Sequence, residues 1–568
     1  PQVWIVPSEG GWPSMVTALD DPVGGVAWSP DGEWLAISVA PGGGMNQQVY
    51  LVRPDGTGLR RLTDGGKENN WLGDWSDDGE VLTFASNREN PEAMDAYVYD
   101  IALGSPSHVV KNPAVGTFMD LSRDRRFAVL YRQRSRGDND LFLVEMTGEK
   151  ETLLTPHDPP AQFAGAVFSP DGTEINLVSN RDRDRSAFAR MSLHGGSIGP
   201  IEPLAAREDA ELQELALTED GGTAALLWNV AGRSEISFLD LASMDAIPGP
   251  ALPAEIASGL TFSKDGARLA FTLSGAAAPA NVWVLERGKG LLRVTDSPHA
   301  GVDLKTLIRP ELVRFPAHDG LELTAWLYRP SGASAPTPMV LSFHGGPEGQ
   351  ERPVFNATYQ ALLARGIAVF APNVRGSSGF GKKFVNLYNG ALRADGVKDI
   401  ESCAKYVIDA GIADPKRLGA MGGSYGGYMV MAALTEYPEM FAAGANLFGV
   451  VNFETFFAHT EPWMASISKV EYGDPKTEAD MLKRLSPIHK IDRVKTPTIV
   501  LHGANDTNVP VVEADQVVES LKKRGVPVEY VLFPDEGHGF RKTPNRIRST
   551  VSIVKWFEKH LKSVDDRS

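Results

Sequence analysis

The chain has 568 residues, of which 42% are hydrophobic and 23% are charged, and its net charge is -16. This length is too great for one ordinary core, so two or more domains are expected. The acidic charge argues against general nucleic-acid binding, and no apolar run reaches the length of a membrane-spanning helix. The single cysteine, Cys403, excludes an internal disulfide and a cysteine-rich zinc site.

A repeated turn organises the first 300 residues. Similar five-residue segments, of the kind WSPDG or FSKDG, recur at 28–32, 75–79, 121–125, 168–172, 217–221 and 262–266. The copies are 45 to 49 residues apart, and each lies between short apolar strands. Four strands in about 45 residues is the period of a β-propeller blade. The nearly constant spacing argues against a series of unrelated hairpins.

The N-terminal residues complicate the blade count. Residues 2–18 resemble the third and fourth strands of an earlier blade whose first two strands are absent. The sequence therefore predicts a seven-bladed propeller over residues 1–303, with the first blade incomplete at its N-terminus. Because the chain starts at Pro1 inside a strand-like run, we expect a preceding segment to be missing. A signal peptide lost with that segment would mean secretion; otherwise a cytoplasmic protein is expected.

The pattern changes near residue 304, where apolar strands begin to alternate with helical segments up to residue 568. This alternation predicts a mainly parallel sheet covered by helices, an α/β-hydrolase domain. The sequence G-x-S-x-G spans residues 422–426, with a predicted strand before it and a predicted helix after it. That context favours Ser424 as a nucleophile on a sharp turn. The competing interpretation is an ordinary glycine-rich turn.

A catalytic serine needs a base, and the base needs an acid that orients it. In this fold the chain order is Ser, Asp, His, with each residue after a strand. Asp506 comes after the predicted strand 498–501, and His538 comes after the predicted strand 528–533. A helix cap and a surface histidine are the respective competing interpretations, but the order favours a triad. His502 is a rival base, although it precedes Asp506 and is better interpreted as structural.

Two N–H donors are expected for the negatively charged oxygen of the transition state. One is the backbone N–H of Tyr425, the residue directly after the nucleophile. The other is expected in the glycine-containing segment 344–347, where we favour Gly346. No metal or organic cofactor is predicted, because the eleven histidines show no ligand spacing and no glycine-rich phosphate loop comes after a strand.

Five segments together resemble the prolyl oligopeptidase family of serine peptidases: HGGP at 344–347, RGSSGFG at 375–381, GGSYGGYM at 422–429, HGANDTNVP at 502–510 and DEGHGF at 535–540. The resemblance, strengthened by the predicted propeller, implies hydrolysis of short peptides through an acyl-enzyme. HGGP resembles the acylaminoacyl peptidase branch. Asn508 departs from the arginine common in that branch and resembles the asparagine that holds a substrate carbonyl in dipeptidyl peptidases.

The resemblance also suggests specificity residues. Phe453 and Phe456 fall in the segment that walls the pocket for the side chain before the scissile bond, although core packing explains either one equally well. Arginines are concentrated in the middle blades. They favour a solvated surface, where they pair with nearby carboxylates. If some of them face an internal cavity between the domains, they would instead bind the C-terminal carboxylate of a peptide. They are Arg123, Arg125, Arg126, Arg132, Arg134, Arg136, Arg181, Arg183 and Arg185.

The sequence leaves several functions open. An acylaminoacyl-type exopeptidase or oligopeptidase is the first expectation. The competing functions are a carboxypeptidase-type or dipeptidyl-type enzyme, a carboxylesterase, and a binding protein with a vestigial hydrolase site. The expected partners are short peptides, not nucleic acid or a membrane, and a homo-oligomer is compatible with the sequence.

Overall fold

The structure is a computed structural model that describes residues 1–147, 150–194 and 197–562. It contains an N-terminal propeller and a C-terminal α/β domain. The last propeller strand ends at Arg293 and the first strand of the α/β domain begins at Glu311, so the predicted boundary at residue 303 falls in the connection between them. Within the described ranges, no helix is both long and apolar enough to cross a membrane.

The propeller begins with a hairpin of two short strands, β1 (Trp4–Ile5) and β2 (Ser14–Met15), and continues with six antiparallel sheets, here called blades 1 to 6. Blade 1 contains β3 (Val23–Trp28), β4 (Leu35–Val39), β5 (Gln48–Val52) and β6 (Arg60–Arg61). Blade 2 contains β7 (Asn70–Trp75), β8 (Val81–Ser86), β9 (Asp95–Asp100) and β10 (Ser105–Val110). Blade 3 contains β11 (Gly116–Leu121), β12 (Phe127–Ser135), β13 (Asp138–Glu145) and β14 (Glu151–Leu153).

The other three blades have the same antiparallel arrangement. Blade 4 contains β15 (Phe163–Phe168), β16 (Glu174–Ser179) and β17 (Ala187–His194), and its outer position is divided between β18 (Ser197–Ile198) and β19 (Glu202–Ala205). Blade 5 contains β20 (Ala210–Leu217), β21 (Thr223–Val230), β22 (Arg233–Asp240) and β23 (Ala246–Pro248). Blade 6 contains β24 (Ile256–Phe262), β25 (Arg268–Gly275), β26 (Ala278–Glu286) and β27 (Gly290–Arg293).

The prediction of seven blades is wrong, because the described residues form six. Strands β1 and β2 pair only over Trp4 with Met15 and Ile5 with Ser14, which makes a two-stranded sheet and not half of a four-stranded one. The hairpin packs on blade 1 through Val3 and Val16. Alternating apolar residues around a turn have the same pattern in a hairpin and in the outer half of a blade, so composition could not separate the two.

The repeated turn has a common set of hydrogen bonds. In blade 1 the hydroxyl of Ser29 donates to Asp31 Oδ1 over 2.5 Å, and that same oxygen accepts from the backbone N–H of Glu33. The Ser29 hydroxyl oxygen also accepts from the N–H of Trp34. The bonds from Ser29 and Glu33 lower the pKa of Asp31. All three bonds close a tight turn at Gly32, which has a φ of 76°.

The α/β domain is built on one eight-stranded sheet with the order β28-β29-β31-β30-β32-β33-β34-β35. Strands β28 and β29 pair antiparallel, as do β29 and β31, and all later pairs are parallel. The strands are β28 (Glu311–Pro316), β29 (Glu322–Tyr328), β30 (Thr337–Phe343), β31 (Ala368–Asn373), β32 (Ala413–Gly423), β33 (Ala443–Leu447), β34 (Thr498–Gly503) and β35 (Val528–Phe533).

Helices cover both faces of this sheet. They are α1 (Ala357–Ala364), α2 (Lys382–Val385), α3 (Arg393–Asp409), α4 (Tyr425–Glu436), α5 (Phe453–His459), α6 (Pro462–Tyr472), α7 (Ala479–Leu485), α8 (Val512–Lys523) and α9 (Thr543–Leu561). Side chains alternate along a strand, so Leu341 of β30 packs in the core beneath α3 and α4 while Val340 packs beneath α1 and α9. Cys403 of α3 lies fully buried in the first of these cores.

Candidate active site

Ser424 lies between the end of β32 and the start of α4. Its backbone has φ 58° and ψ -122°, a conformation that a residue with a side chain adopts only under constraint. Its neighbours must be small. A Cβ at Gly422 would collide with the carbonyl group of Gly426, and one at Gly426 would collide with the carbonyl oxygen of Phe343. The glycines of G-x-S-x-G are therefore required for the close approach that turns the chain at Ser424.

Ser424, His538 and Asp506 form a chain of hydrogen bonds. His538 Nδ1 is 2.7 Å from Asp506 Oδ2, and His538 Nε2 is 3.0 Å from Ser424 Oγ. A carboxylate only accepts, so Nδ1 carries the proton and Nε2 is free to accept from the serine hydroxyl. The other Asp506 oxygen accepts from the N–H groups of Asn508 and Val509, over 2.9 and 2.8 Å, which fixes the carboxylate.

His502, the rival base, occupies a different position. It is fully buried, and its Nε2 is 2.8 Å from the carbonyl oxygen of Val509 and 3.6 Å from Asp506 Oδ2. Burial lowers the pKa of His502, so the ring is neutral near pH 7 and its Nε2–H donates to Val509. His502 thus supports the loop that carries Asp506, while His538 is the histidine bonded to Ser424.

The segment 344–347 borders the serine. A Cβ at Gly345 would lie 3.3 Å from Ser424 Cβ, and Gly346 has a φ of 128° that only glycine adopts readily. The ring of His344 braces this segment, with Nδ1 2.9 Å from the Gly345 carbonyl oxygen and Nε2 2.8 Å from Ser377 Oγ. Tyr425, whose N–H is the other predicted donor, is the first residue of α4.

A cavity of about 350 Å³ opens beside Ser424. Phe456 and Asn508 line it, so two of the predicted specificity residues face the reaction centre. Phe453 does not line the cavity. It is fully buried and packs against the rings of Tyr428 and Tyr472, at centroid distances of 5.4 and 5.0 Å. Of the two phenylalanines, Phe456 contributes the apolar wall and Phe453 supports it from behind.

The propeller contributes to the same cavity through the hairpin between β12 and β13. Arg136 lines the cavity, together with Gln133. Other arginines of this region are bonded within the propeller: Arg132 to Glu151, and Arg134 to Asp140. Arg123 and Arg126 are exposed and pair with Asp77 and Asp124, as the solvated-surface interpretation expects, whereas Arg136 lines the cavity.

Sequence reasoning did not identify Glu348 and Glu471 as parts of the site. Glu348 lines the cavity, and Glu471 lies buried behind it in α6, 3.1 Å from Arg136 Nε. Burial raises the pKa of Glu471, and the nearby Glu348 carboxylate raises it further. The position of Glu348 directly after HGGP was an available signal, whereas the approach of Glu471 depends on the folding of α6.

Comparison with known proteins finds several similar peptidases. A model of the prolyl oligopeptidase family matches residues 353–564. The dipeptidyl aminopeptidase BIII of Pseudoxanthomonas mexicana is 28% identical over 96% of this chain and 81% of its own length. Dipeptidyl peptidase family member 6 of Caenorhabditis elegans is 34% identical over 40% of this chain and 32% of its own length. The acylamino-acid-releasing enzyme of Arabidopsis thaliana is 31% identical over 40% of this chain and 30% of its own length.

Solved structures share the whole architecture. A structure described in a study of two prolyl endopeptidases superposes with a TM-score of 0.85 at 17% identity, covering 99% of this chain and 86% of that chain. A puromycin hydrolase superposes with a TM-score of 0.83 at 21% identity, covering 97% and 89%. At these identities the structural similarity establishes the fold alone. The family match lies in the C-terminal domain, which is therefore identified as a serine peptidase domain of the prolyl oligopeptidase family.

Proposed function

We propose that Ser424, His538 and Asp506 form a catalytic triad that cleaves short peptides through an acyl-enzyme. The observation that carries the proposal is the unbroken chain of hydrogen bonds from Asp506 through His538 to Ser424 Oγ. As Ser424 Oγ attacks the scissile carbonyl carbon, its proton moves to His538 Nε2. His538 then gives this proton to the leaving amine, and a water molecule hydrolyses the ester on Ser424 by the same route.

The oxyanion of the tetrahedral intermediate is proposed to accept from the N–H groups of Tyr425 and Gly346. Tyr425 is favoured because its N–H begins α4 directly after the nucleophile, and the helix N-terminus also favours negative charge. Gly346 is favoured because its segment borders Ser424. Such donors are aimed at charge that develops during the reaction, and losing one costs about 10²–10³-fold in kcat.

Short peptides are the proposed substrates, with an apolar residue before the scissile bond. The cavity beside Ser424 has walls from both domains, since Gln133 and Arg136 belong to the propeller and Phe456 and Tyr472 to the α/β domain. A volume of about 350 Å³ suits a few residues of extended peptide and not a folded protein. The ring of Phe456 gives an apolar side chain a surface to bury.

Release of an acylated N-terminal residue is the first candidate for end specificity. The HGGP segment at 344–347 resembles that branch of the family, and the acylamino-acid-releasing enzyme of Arabidopsis thaliana is among the relatives. An acyl group carries no charge, so it suits the apolar part of the cavity formed by Val450 and Phe456.

A dipeptidyl activity is the second candidate, and Glu348 favours it. This carboxylate lines the cavity with 22% of its side chain exposed, where it would attract the ammonium group of a free N-terminus. Asn508 lines the same cavity, and its amide is suited to a substrate carbonyl. One relative that aligns with nearly the whole chain bears the name dipeptidyl aminopeptidase.

A carboxypeptidase-type enzyme and a carboxylesterase have less support. The first needs a guanidinium free to bind a carboxylate, but Arg136 is already engaged with Glu471, Glu348 and the carbonyl oxygen of Gly346. A carboxylesterase would share the triad chemistry. The propeller wall argues against it, because the wall screens bulky substrates.

A fluorophosphonate probe and a peptide panel test the proposal together. The probe should label the wild type and not Ser424→Ala, because only an activated serine reacts. Peptides with free, acetylated and amidated ends are incubated with the enzyme, and mass spectrometry identifies which of them are cleaved. The rate enhancement over the uncatalysed reaction should be larger for a peptide p-nitroanilide than for a matched p-nitrophenyl ester. A wild type that is not labelled, or that cleaves only esters, would reject the proposal.

A further inference from the structure

The side chain of Arg136 extends from the propeller and contacts the catalytic domain. It lies in the two-residue turn between β12 and β13 of blade 3, and 19% of its side chain is exposed. Its Nη1 donates to the carbonyl oxygen of Gly346 over 2.8 Å. A propeller side chain is therefore hydrogen-bonded to the same glycine whose N–H is the proposed oxyanion donor.

The guanidinium is held on its other edges as well. Nε is 3.1 Å from Glu471 Oε2, and Nη1 is 3.6 Å from Glu348 Oε2. Nη2 donates to Ser468 Oγ and lies 3.3 Å from Met464 Sδ. These contacts with α6 and Glu348 orient Nη1 toward the Gly346 carbonyl. They also pair the guanidinium with two carboxylates, with which a substrate carboxylate would have to compete.

Gly346 needs such a restraint. Its φ of 128° lies in a region that glycine enters easily and leaves easily, and a Cβ there would collide with the backbone of Gly349. The N–H and the carbonyl of Gly346 lie on either side of the same Cα, so a bond that holds the carbonyl also limits rotation of the N–H. Misplacement of a catalytic group by about 1 Å can cost about 10²-fold in rate.

We propose that Arg136 is a positioning residue that holds the segment 344–347 through the Gly346 carbonyl, so that the rate of the catalytic domain depends on this propeller side chain. The proposal rests on the proposed role of the Gly346 N–H. It differs from direct substrate binding in its kinetic signature. A positioning residue lowers kcat and the affinity for transition-state analogues, whereas a ligand of the substrate mainly raises KM.

The test compares Arg136→Met with Arg134→Met in the full-length chain. Arg134 is the matched control because it lies two residues away on the same hairpin, is 43% exposed and pairs with Asp140 inside the propeller. For each variant, kcat and KM are measured on a peptide p-nitroanilide, and the inhibition constant is measured for a peptide boronic acid of the same sequence. Labelling of Ser424 by a fluorophosphonate is followed to completion.

Arg136→Met should lower kcat by at least tenfold with KM within about threefold, and the boronic acid should lose affinity in parallel with kcat/KM. Arg134→Met should leave all three values near those of the wild type. Free guanidinium ion should restore part of the activity of Arg136→Met and have no such effect on the control. Complete labelling of a variant would show that its Ser424 is still reactive. If the wild type itself fails to label, the result rejects the triad and not the role of Arg136.

A second variant distinguishes a loss of activity from a loss of folding. Removing Arg136 leaves Glu471 with one nearby cation, Arg393 at 3.8 Å, which also donates to the backbone carbonyl oxygen of Glu471. The double variant Arg136→Met with Glu471→Gln removes both charges of the Arg136–Glu471 pair, so it should fold like the wild type, judged by thermal unfolding, and should still have the low kcat. A folded double variant with wild-type kcat would overturn the proposal. So would a single variant in which KM rises tenfold while kcat is unchanged, since Arg136 would then be a ligand of the substrate.

Discussion

The backbone N–H of His538 donates to the sulfur of Met45, a propeller residue, over 3.3 Å. Met45 belongs to the glycine-rich connection between β4 and β5 of blade 1, and this connection packs on the loop that carries His538. The Asn505 side chain donates to the carbonyl oxygen of Gly42 over 3.0 Å, and Lys542 is 3.2 Å from both Asp21 and Asp535. The propeller thus contacts the loop of His538 as well as the segment 344–347.

Gly43→Ala should lower kcat/KM by about tenfold or more, because the new Cβ would collide with the carbonyl oxygen of Asp535 and displace the loop of His538. Gly42→Ala is the matched control. Both glycines have a positive φ, 74° for Gly42 and 71° for Gly43, but a Cβ at Gly42 meets open space. Steady-state kinetics and the rate of Ser424 labelling measure the difference. Equal losses in the two variants would mean that backbone strain and not the collision is responsible.

His538→Ala should reduce kcat by about 10⁵–10⁶-fold, since the base is lost, and Asp506→Asn by about 10⁴-fold, since only the tautomer and orientation of the imidazole change. His502→Gln should retain most activity, because His502 donates to the Val509 carbonyl and a glutamine side chain can also donate. Single-turnover kinetics separate chemistry from binding in these variants. An active His538→Ala beside an inactive but folded His502→Gln would reverse the choice of base.

Local motifs located the residues that the structure joins by hydrogen bonds, because the fold places the ends of β32, β34 and β35 at one edge of the sheet. Blade number was misjudged because residues 2–18 have the composition of outer blade strands while pairing only with each other. A local signal identifies the residues at the end of a strand, but the partner of a strand depends on contacts distant in the chain.

Arg136 could not be singled out from the sequence for a related reason. Nine arginines share the same region and the same kind of neighbours, and only the relative placement of the two domains brings one of them to Gly346. Phe453 and Phe456 were equally ambiguous because they lie one helical turn apart in α5, and which of them faces the cavity depends on how α5 packs against Tyr472.

Phe456→Ala should raise KM for substrates with a large apolar residue before the scissile bond by about tenfold, because the cavity loses its apolar wall. Phe453→Ala should instead destabilise the fold by about 3–5 kcal/mol, as expected for a fully buried ring that contacts Tyr428 and Tyr472. Kinetics on a series of substrates and thermal unfolding should separate the two variants. Identical phenotypes would contradict the division of roles.

Amidation of the substrate's C-terminus should change kcat/KM by less than about threefold, because Arg136 donates to Gly346 and is paired with Glu471, so no charged hydrogen bond worth about 1.5–3 kcal/mol is lost. Matched acid and amide peptides of four to six residues measure this effect. A loss of tenfold or more with the amide would favour a carboxypeptidase-type enzyme over the acylaminoacyl and dipeptidyl types.

Glu513 makes the stability of the fold beside the pocket depend on pH. This fully buried carboxylate accepts from the backbone N–H groups of Val451 and Asn452, both over 2.8 Å, and from the Thr455 hydroxyl, so it fixes the start of α5, which carries Phe456. Burial raises the pKa of Glu513 to about 7, above its ordinary value of 4.5. Because the pKa is raised in the folded state, the stability contribution of the protonated group is complete below about pH 4.5 and is lost as the pH rises through about 7.

Glu513→Gln should therefore become more stable relative to the wild type as the pH rises from 4.5 to 7.5, by about 1–3 kcal/mol, and the difference should be constant above that range. The glutamine keeps one acceptor oxygen, so any hydrogen bond it loses adds an offset that does not depend on pH. Other buried acids that titrate near this range, such as Asp120 with a pKa raised to about 7, are present in both proteins and cancel in the comparison. Thermal and guanidinium unfolding at half-unit pH steps give the curve, and a difference that stays flat from pH 4.5 to 7.5 would show that Glu513 does not titrate in this range.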